Sequence, residues 1–215
     1  PLRRQRQMCI RDRGNVSTDA YDARGNRTRH EDAGGVTEYS YDDKNNLTGV
    51  TFGTGARQQL AYDVTFSLPT AITDPAEQVT TFEYDARGNL IRMVDPLGQA
   101  RSLSVDTRGL VTDVTDPAGK TTHLTYGPLG DLLEVTGPLG HATSYAYDAA
   151  GRVLASTDPL DRTTRFERDA LGRVTRVTAS DGAATRFTYD AAGHLARVTD
   201  PLGETVTRTY DTLGR

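Results

Sequence analysis

YDARGNLIRMVDPLG, residues 84–98, holds two acidic turns, two arginines, an aspartate–proline bond and two glycines. Taken alone, Asp85 and Asp95 have the look of paired carboxylates, and the glycine loops that of an anion cradle. Recurrence decides between chemistry and architecture. The position of Tyr84 returns at Val105, Tyr126, Tyr147, Arg168, Tyr189 and Tyr210, in steps of 21 residues. Upstream it is Tyr21, Tyr41 and Tyr62, with steps of 20, 21 and then 22 into Tyr84. The one-residue slips are assigned to Gly35–Tyr41 and to the segment DVTFSLPTAITDP (63–75), both beside turns. A fixed period of this length is the mark of a repeat architecture.

Asp follows the tyrosine slot in nine of ten copies, the exception being Gly127, so catalysis by any one of them is not expected. A glycine stands four residues after the slot in eight copies, and Asn45 takes its place once. The second turn reads DPLG (95–98), DPAG (116–119), GPLG (137–140), DPLD (158–161) and DPLG (200–203). Asp at the first position, Pro at the second and Gly at the fourth suit a type I turn closed by a left-handed residue. YDxxG has the same Asp-to-Gly spacing and suits a hairpin loop ending in a glycine bulge.

Between turns the chain alternates. Two residues before the slot stand Tyr39, Leu60, Phe82, Leu103, Leu124, Tyr145, Phe166 and Phe187, with small or polar residues between. That period of two marks strands with one greasier face. The sequence thus predicts an all-β fold of repeated antiparallel β-hairpins, about 21 residues per repeat. One unit is too short to bury a core, so neighbours must pair and stack their Tyr and Phe positions. Ten units make about twenty strands, more than an open twisted sheet holds flat, which predicts a curled ribbon or spiral shell segment.

Residues 1–13, PLRRQRQMCIRDR, match nothing that follows. Arg3 to Arg13, eleven residues, equals one reading frame of a transposase sequencing adapter, so 1–13 is set apart from the fold and the repeats are assigned to 14–215. Without its five Arg and one Asp the chain has 20 basic and 28 acidic residues, a net charge of −8, and no cysteine. Disulfides and thiol chemistry are then excluded. The charge leaves no nucleic-acid footprint, and no apolar run is long enough for a membrane-spanning segment. The absent initial Met and the unfinished last repeat lead us to expect a piece of a longer chain, open at both ends.

YDARGNLIRMVDPLGQ, YDAAGRVLASTDPL and YDAAGHLARVTDPLGE resemble the YD repeats of the Rhs (rearrangement hotspot) proteins, across nearly all of 14–215. FSLPTAITDP (66–75) resembles a variant that recurs in bacterial members. The resemblance implies a hollow β-shell that, in bacteria, encloses a C-terminal toxin domain of the same chain and helps deliver it to competitors. In animals, teneurins use a similar shell in adhesion. It further implies a secreted or cell-surface location, with secretion machinery or cell-surface glycans as further partners. The alternative function is a cell-surface or wall-associated repeat protein binding glycans or a partner. The family's self-cleavage region pairs two DPxG motifs. Here DPLG (95–98) and DPAG (116–119) are seventeen residues apart, the ordinary repeat spacing, so no protease role is carried over.

No catalytic, cofactor-binding or metal residue is assigned, and no cofactor or enzymatic activity is expected. GGxGxD and EF-hand patterns for calcium are missing, as are P-loop and dinucleotide fingerprints. His30, His123, His141 and His194 share no ligand spacing and read as surface residues. Asn15, Asn26 and Asn46 begin glycosylation sequons, relevant only in a eukaryotic secretory setting. Arg168 and Val105, in the tyrosine slot, read as local changes of stacking.

Overall fold

In the computed structural model the described residues are 8–12, 15–211 and 213–215, with side chains from residue 17 onward. They form two compact units, Pro1–Val105 with Thr115–Gly119, and Asp106–Val114 with Lys120–Arg215. The first carries β1 (Met8–Asp12), β2 (Asn15–Tyr21), β3 (Arg27–Asp32), β4 (Gly35–Tyr41) and β5 (Leu47–Thr51). It continues with β6 (Arg57–Tyr62), β7 (Pro69–Thr73), β8 (Val79–Tyr84), β9 (Leu90–Val94) and β10 (Ala100–Val105). Next come β11 (Val111–Thr115), whose last residue belongs to the first unit, β12 (Thr121–Tyr126), β13 (Leu132–Thr136), β14 (Ala142–Tyr147) and β15 (Val153–Thr157). The second unit ends with β16 (Thr163–Arg168), β17 (Val174–Thr178), β18 (Ala184–Tyr189), β19 (Leu195–Thr199) and β20 (Thr205–Thr207). The expected all-β repeat of antiparallel hairpins is what each unit forms, its strands pairing with sequence neighbours as β8 does with β7 and β9 and β16 does with β15 and β17.

Both turn types share one main-chain geometry. Asp85 N donates to Asn89 O at 2.9 Å and Gly88 N to Asp85 O at 3.0 Å; Asp95 N donates to Gln99 O at 3.0 Å and Gly98 N to Asp95 O at 2.9 Å. The fourth residue is left-handed, with φ 85° at Gly88 and 75° at Gly98, which explains the glycines. The period slips have local causes. Asp32 pairs directly with Gly35, so that hairpin has a two-residue loop and the shortening lies in the turn before Gly35. The longer step follows from the loop 63–68, where Asp63 N reaches Leu68 O at 2.9 Å and Ser67 takes φ 57°.

The YD hairpins carry a feature that alternation did not reveal. Glu83 pairs with Arg92 but Tyr84 with Leu90, leaving Ile91 as an extra residue in β9. The same bulge falls at Thr28, Thr48, Thr70, Leu133, Leu154, Thr175 and Ala196. Such a bulge bends the strand and re-aims its backbone groups. The DP hairpins, such as β15–β16, run without a shift.

Directly opposed residues share a face. One face collects Leu60 with Ile72, Phe82 with Met93, Phe166 with Val177 and Phe187 with Val198. The other collects Glu83 with Arg92 and Glu167 with Arg176. Among the described apolar residues only Val50 (8% exposed) and Ala184 (9%) are buried, so neither unit has a two-layer core. Backbone ladders and contacts between adjacent hairpins must hold each unit. Of residues 1–13, set apart on sequence, 8–12 form β1 and pair with β2 from Met8↔Asp19 to Asp12↔Asn15, and the others lie outside the described residues. Backbone pairing to a sheet edge asks for no particular side chains, so a foreign segment can take that place.

Candidate functional site

The tyrosine slot works between hairpins. Tyr84 Oη donates to Pro69 O at 2.9 Å, and Pro69 is the residue opposite Tyr62, the tyrosine of the preceding copy. Tyr62 reaches Leu47 O at 2.8 Å, Tyr147 Leu132 O at 2.8 Å, Tyr189 Val174 O at 2.8 Å and Tyr210 Leu195 O at 3.0 Å. Each accepting carbonyl stands next to a bulge residue. Sequence reasoning expected these rings to stack on one another; the rung is instead a hydroxyl–carbonyl bond. Burial raises the phenol pKa of Tyr41, Tyr62, Tyr84 and Tyr147, keeping each a neutral donor.

The turn aspartates are engaged with their own loops. Asp85 Oδ1 accepts from Arg87 N at 2.8 Å and Asn89 N at 2.9 Å, and its Oδ2 from Asn89 Nδ2 at 2.9 Å. Hydrogen bonds from the Asn89 side chain, then its backbone, hold the Asp85 pKa below the usual Asp value. Asp63 is lowered by the backbone amides of Phe66 and Leu68. A carboxylate so fixed is a permanent acceptor, the opposite of a group poised for proton transfer. Asp85 and Asp95 flank β9 at opposite ends, about 17 Å apart by strand rise, and do not converge.

Side chains along the YD turns also reach the next copy. Arg24 Nη1 donates to Asp42 O at 3.1 Å and Asp43 O at 3.0 Å, Arg108 Nη1 to Gly127 O at 2.8 Å, and Lys44 Nζ to Val64 O. A Cβ on Gly172 would collide with Arg152, and one on Gly214 would meet His194 Nε2 at 3.2 Å, whereas Gly98, Gly119, Gly140 and Gly203 in the DP turns have nothing within 4 Å. At Gly172 and Gly214 the YD glycine thus serves a close approach as well as a dihedral angle, whereas Gly25 has open space around it.

Three of the four histidines, His30, His123 and His194, are paired with aspartates. His30 Nδ1 lies 2.7 Å from Asp19 Oδ1 and its Nε2 3.4 Å from Asp32 Oδ2. His123 contacts Asp113 at 2.5 Å, and His194 lies 3.1 Å from Asp190 with its ring 4.8 Å from that of Tyr210. His141 O accepts from Gly137 N at 2.8 Å. Asn26 and Asn46 donate their amides to Asp22 and Asp42, both at 2.9 Å. The side chain of Asn15 lies outside the described ones. Among the described residues no group of three or more His, Cys, Asp or Glu is placed for a metal ion. No described helix is long and apolar enough to cross a membrane. In the first unit a groove of about 660 Å³ opens beside the loop 63–68, lined by Phe66, Phe82, Glu83, Tyr84 and Ile91.

The teneurin YD-shell profile matches residues 14–157, and the RHS repeat profile matches 147–184, 168–205 and 189–215. The chain is an Rhs/YD-repeat protein. No curated protein matches it. Its backbone is similar to the crystal structure of TcdB2-TccC3, with a TM-score of 0.74 at 18% identity, over 94% of this chain and 13% of that one. The same complex without its hypervariable C-terminal region gives 0.50 at 14% identity, over 94% and 15%. The chain therefore spans a small fraction of the solved structures whose fold it shares.

Within this YD-repeat protein the departures from the motif are informative. Arg168 keeps the rung, its Nη2 donating to Val153 O at 3.3 Å, but its buried Nε has no partner. The sequence reading took Arg168 for a change of stacking; it is a change of donor. Val105 has no donor to offer.

Proposed function

We propose that this chain is a wall segment of an Rhs-type shell that curls around, and helps deliver, a toxin domain C-terminal in the same parent chain. The observation that carries the reading is the tyrosine rung between successive hairpins. It turns each repeat into a support for the next and leaves the turn aspartates no free role. The family match and the fold shared with TcdB2-TccC3 support it. On this reading the segment has no catalysis of its own and works outside the cell or at its surface. Residues 1–13 are adapter-derived, a reading supported by the first family match starting at residue 14. Recovering the DNA downstream of the Arg215 codon tests the proposal. A frame that runs through further YD repeats into a compact domain of different composition is expected. A frame that ends in repeats, or in a membrane anchor, overturns it.

The groove beside Phe66, which is 46% exposed, favours one second reading, a surface protein that holds glycans. Aromatic faces beside a carboxylate such as Glu83 suit a sugar ring. Retention of the 215-residue chain on a glycan array, lost on Phe66→Ala, would select this reading.

A further inference from the structure

The polar face of β16–β19 carries four arginines and one acid, Glu167. By register, Glu167 opposes Arg176, Arg176 opposes Arg186, and Arg186 opposes Thr199. Arg165 and Arg197 stand on the same face, one two-residue step to either side, opposite Thr178 and Thr188. The four guanidinium groups therefore cross four strands on a diagonal. Their Cβ positions are about 5 Å apart where directly opposed and about 7–8 Å on the diagonals, giving a band of attachment points about 20 Å long. The other residues at these register positions carry no charge: Ala155, Thr163, Thr178, Ala184, Thr188 and Thr199.

Three observations set this band apart. Arg165, Arg186 and Arg197 are exposed, and the one carboxylate in the band is Glu167, 3.4 Å from Arg176. Arg176 Nε is buried and has no hydrogen-bond partner. Like charges directly opposed, as at Arg176 and Arg186, destabilise a sheet, so folding alone does not favour them. All this occurs in a chain of net charge −4.

We propose that this band docks an extended polypeptide segment rich in Asp or Glu. Alternate side chains of an extended chain repeat every 6.6 Å or so, about the spacing of the band, and carboxylates match the planar fork of Arg. A nucleic-acid strand fits less well. The band's face has no aromatic ring among the register positions named above, so bases find no stacking platform. The inference stands apart from the identity of any enclosed domain.

The test uses the 215-residue chain and fluorescence anisotropy of a labelled, alternating Glu-Ser peptide, with a Lys-Ser peptide and an oligothymidine as comparisons. The acidic peptide is expected to bind at least about tenfold tighter than either comparison, and to weaken about tenfold or more as salt rises to about 0.5 M. Arg165→Thr, Arg186→Thr and Arg197→Thr together keep strand-forming residues and are expected to weaken it about tenfold or more. Glu167→Gln removes the internal competitor and is expected to tighten it, which keeps the test decisive if the triple variant does not fold. Peptide affinity unchanged by both variants, or oligothymidine bound more tightly than the acidic peptide, overturns the proposal.

Discussion

Gly88 and Gly98 stand in one fifteen-residue stretch with nearly the same dihedral, φ 85° and 75°. Their surroundings differ. A Cβ on Gly88 would lie 3.4 Å from both Leu68 Cδ1 and Phe66 Cγ, while Gly98 has open space. Other copies already place different residues in both slots. Asp161 takes φ 59° in a DP turn, and Asn45 takes φ 69° in a YD turn, where Asn26 donates to it at 2.9 Å. Asn tolerates the left-handed region, so Gly98→Asn is expected to cost less than about 1 kcal/mol. Gly88→Asn pushes an amide against Phe66 and Leu68 and is expected to cost about 1–3 kcal/mol more, the usual range for overpacking. Urea midpoints of the two variants compare them directly. Equal losses would mean that the YD glycine answers only to its dihedral.

At the scale of the hairpin, the bulge and the tyrosine belong together. The bulge follows the residue whose carbonyl receives the next copy's hydroxyl, as Thr70 follows Pro69. A hint of it lies in consecutive apolar pairs such as Leu90-Ile91, Leu132-Leu133 and Val153-Leu154, which break strict alternation. The rung itself was not legible, because a period of 21 places tyrosines in line without saying whether rings touch rings or hydroxyls touch backbone. Arg168 offers the test. Arg168→Tyr is expected to restore a neutral donor to Val153 O and to remove a buried, unpartnered Nε. A gain of about 0.5–1.5 kcal/mol is expected, the net value of one hydrogen bond. Tyr189→Phe, which removes the bond to Val174 O, is expected to lose a similar amount. Denaturant unfolding that ranks Arg168→Tyr at or below the parent would show that the rung does not stabilise the array.

Across the molecule, the turn chemistry was the most legible part of the fold, because Asp, Pro and Gly act locally and the repeat displays them many times. The arginine band was not legible, since its successive members are 10 or 11 residues apart and only register brings them to one face. The repeated aspartates have a collective consequence. Folding lowers the pKa of Asp22, Asp42, Asp63, Asp85, Asp148, Asp158, Asp190 and Asp211, by hydrogen bonds from the turn they close. A carboxyl with a lower pKa in the folded state binds protons less readily there than in the unfolded chain. Its stabilising effect is full above the unfolded value, about 3.9, and disappears as pH falls through the folded value. Thermal midpoints are therefore expected to be insensitive to these groups from neutral pH down to about 5, and to fall steeply below about 4. Replacing Asp85 and Asp148 with Asn keeps much of each turn while removing two of the titrating groups. That variant is expected to be less stable at about pH 7 and to lose less on acidification than the parent. A parent and variant with parallel pH profiles below about 4 would mean that the turn carboxylates do not govern the acid limit of this fold.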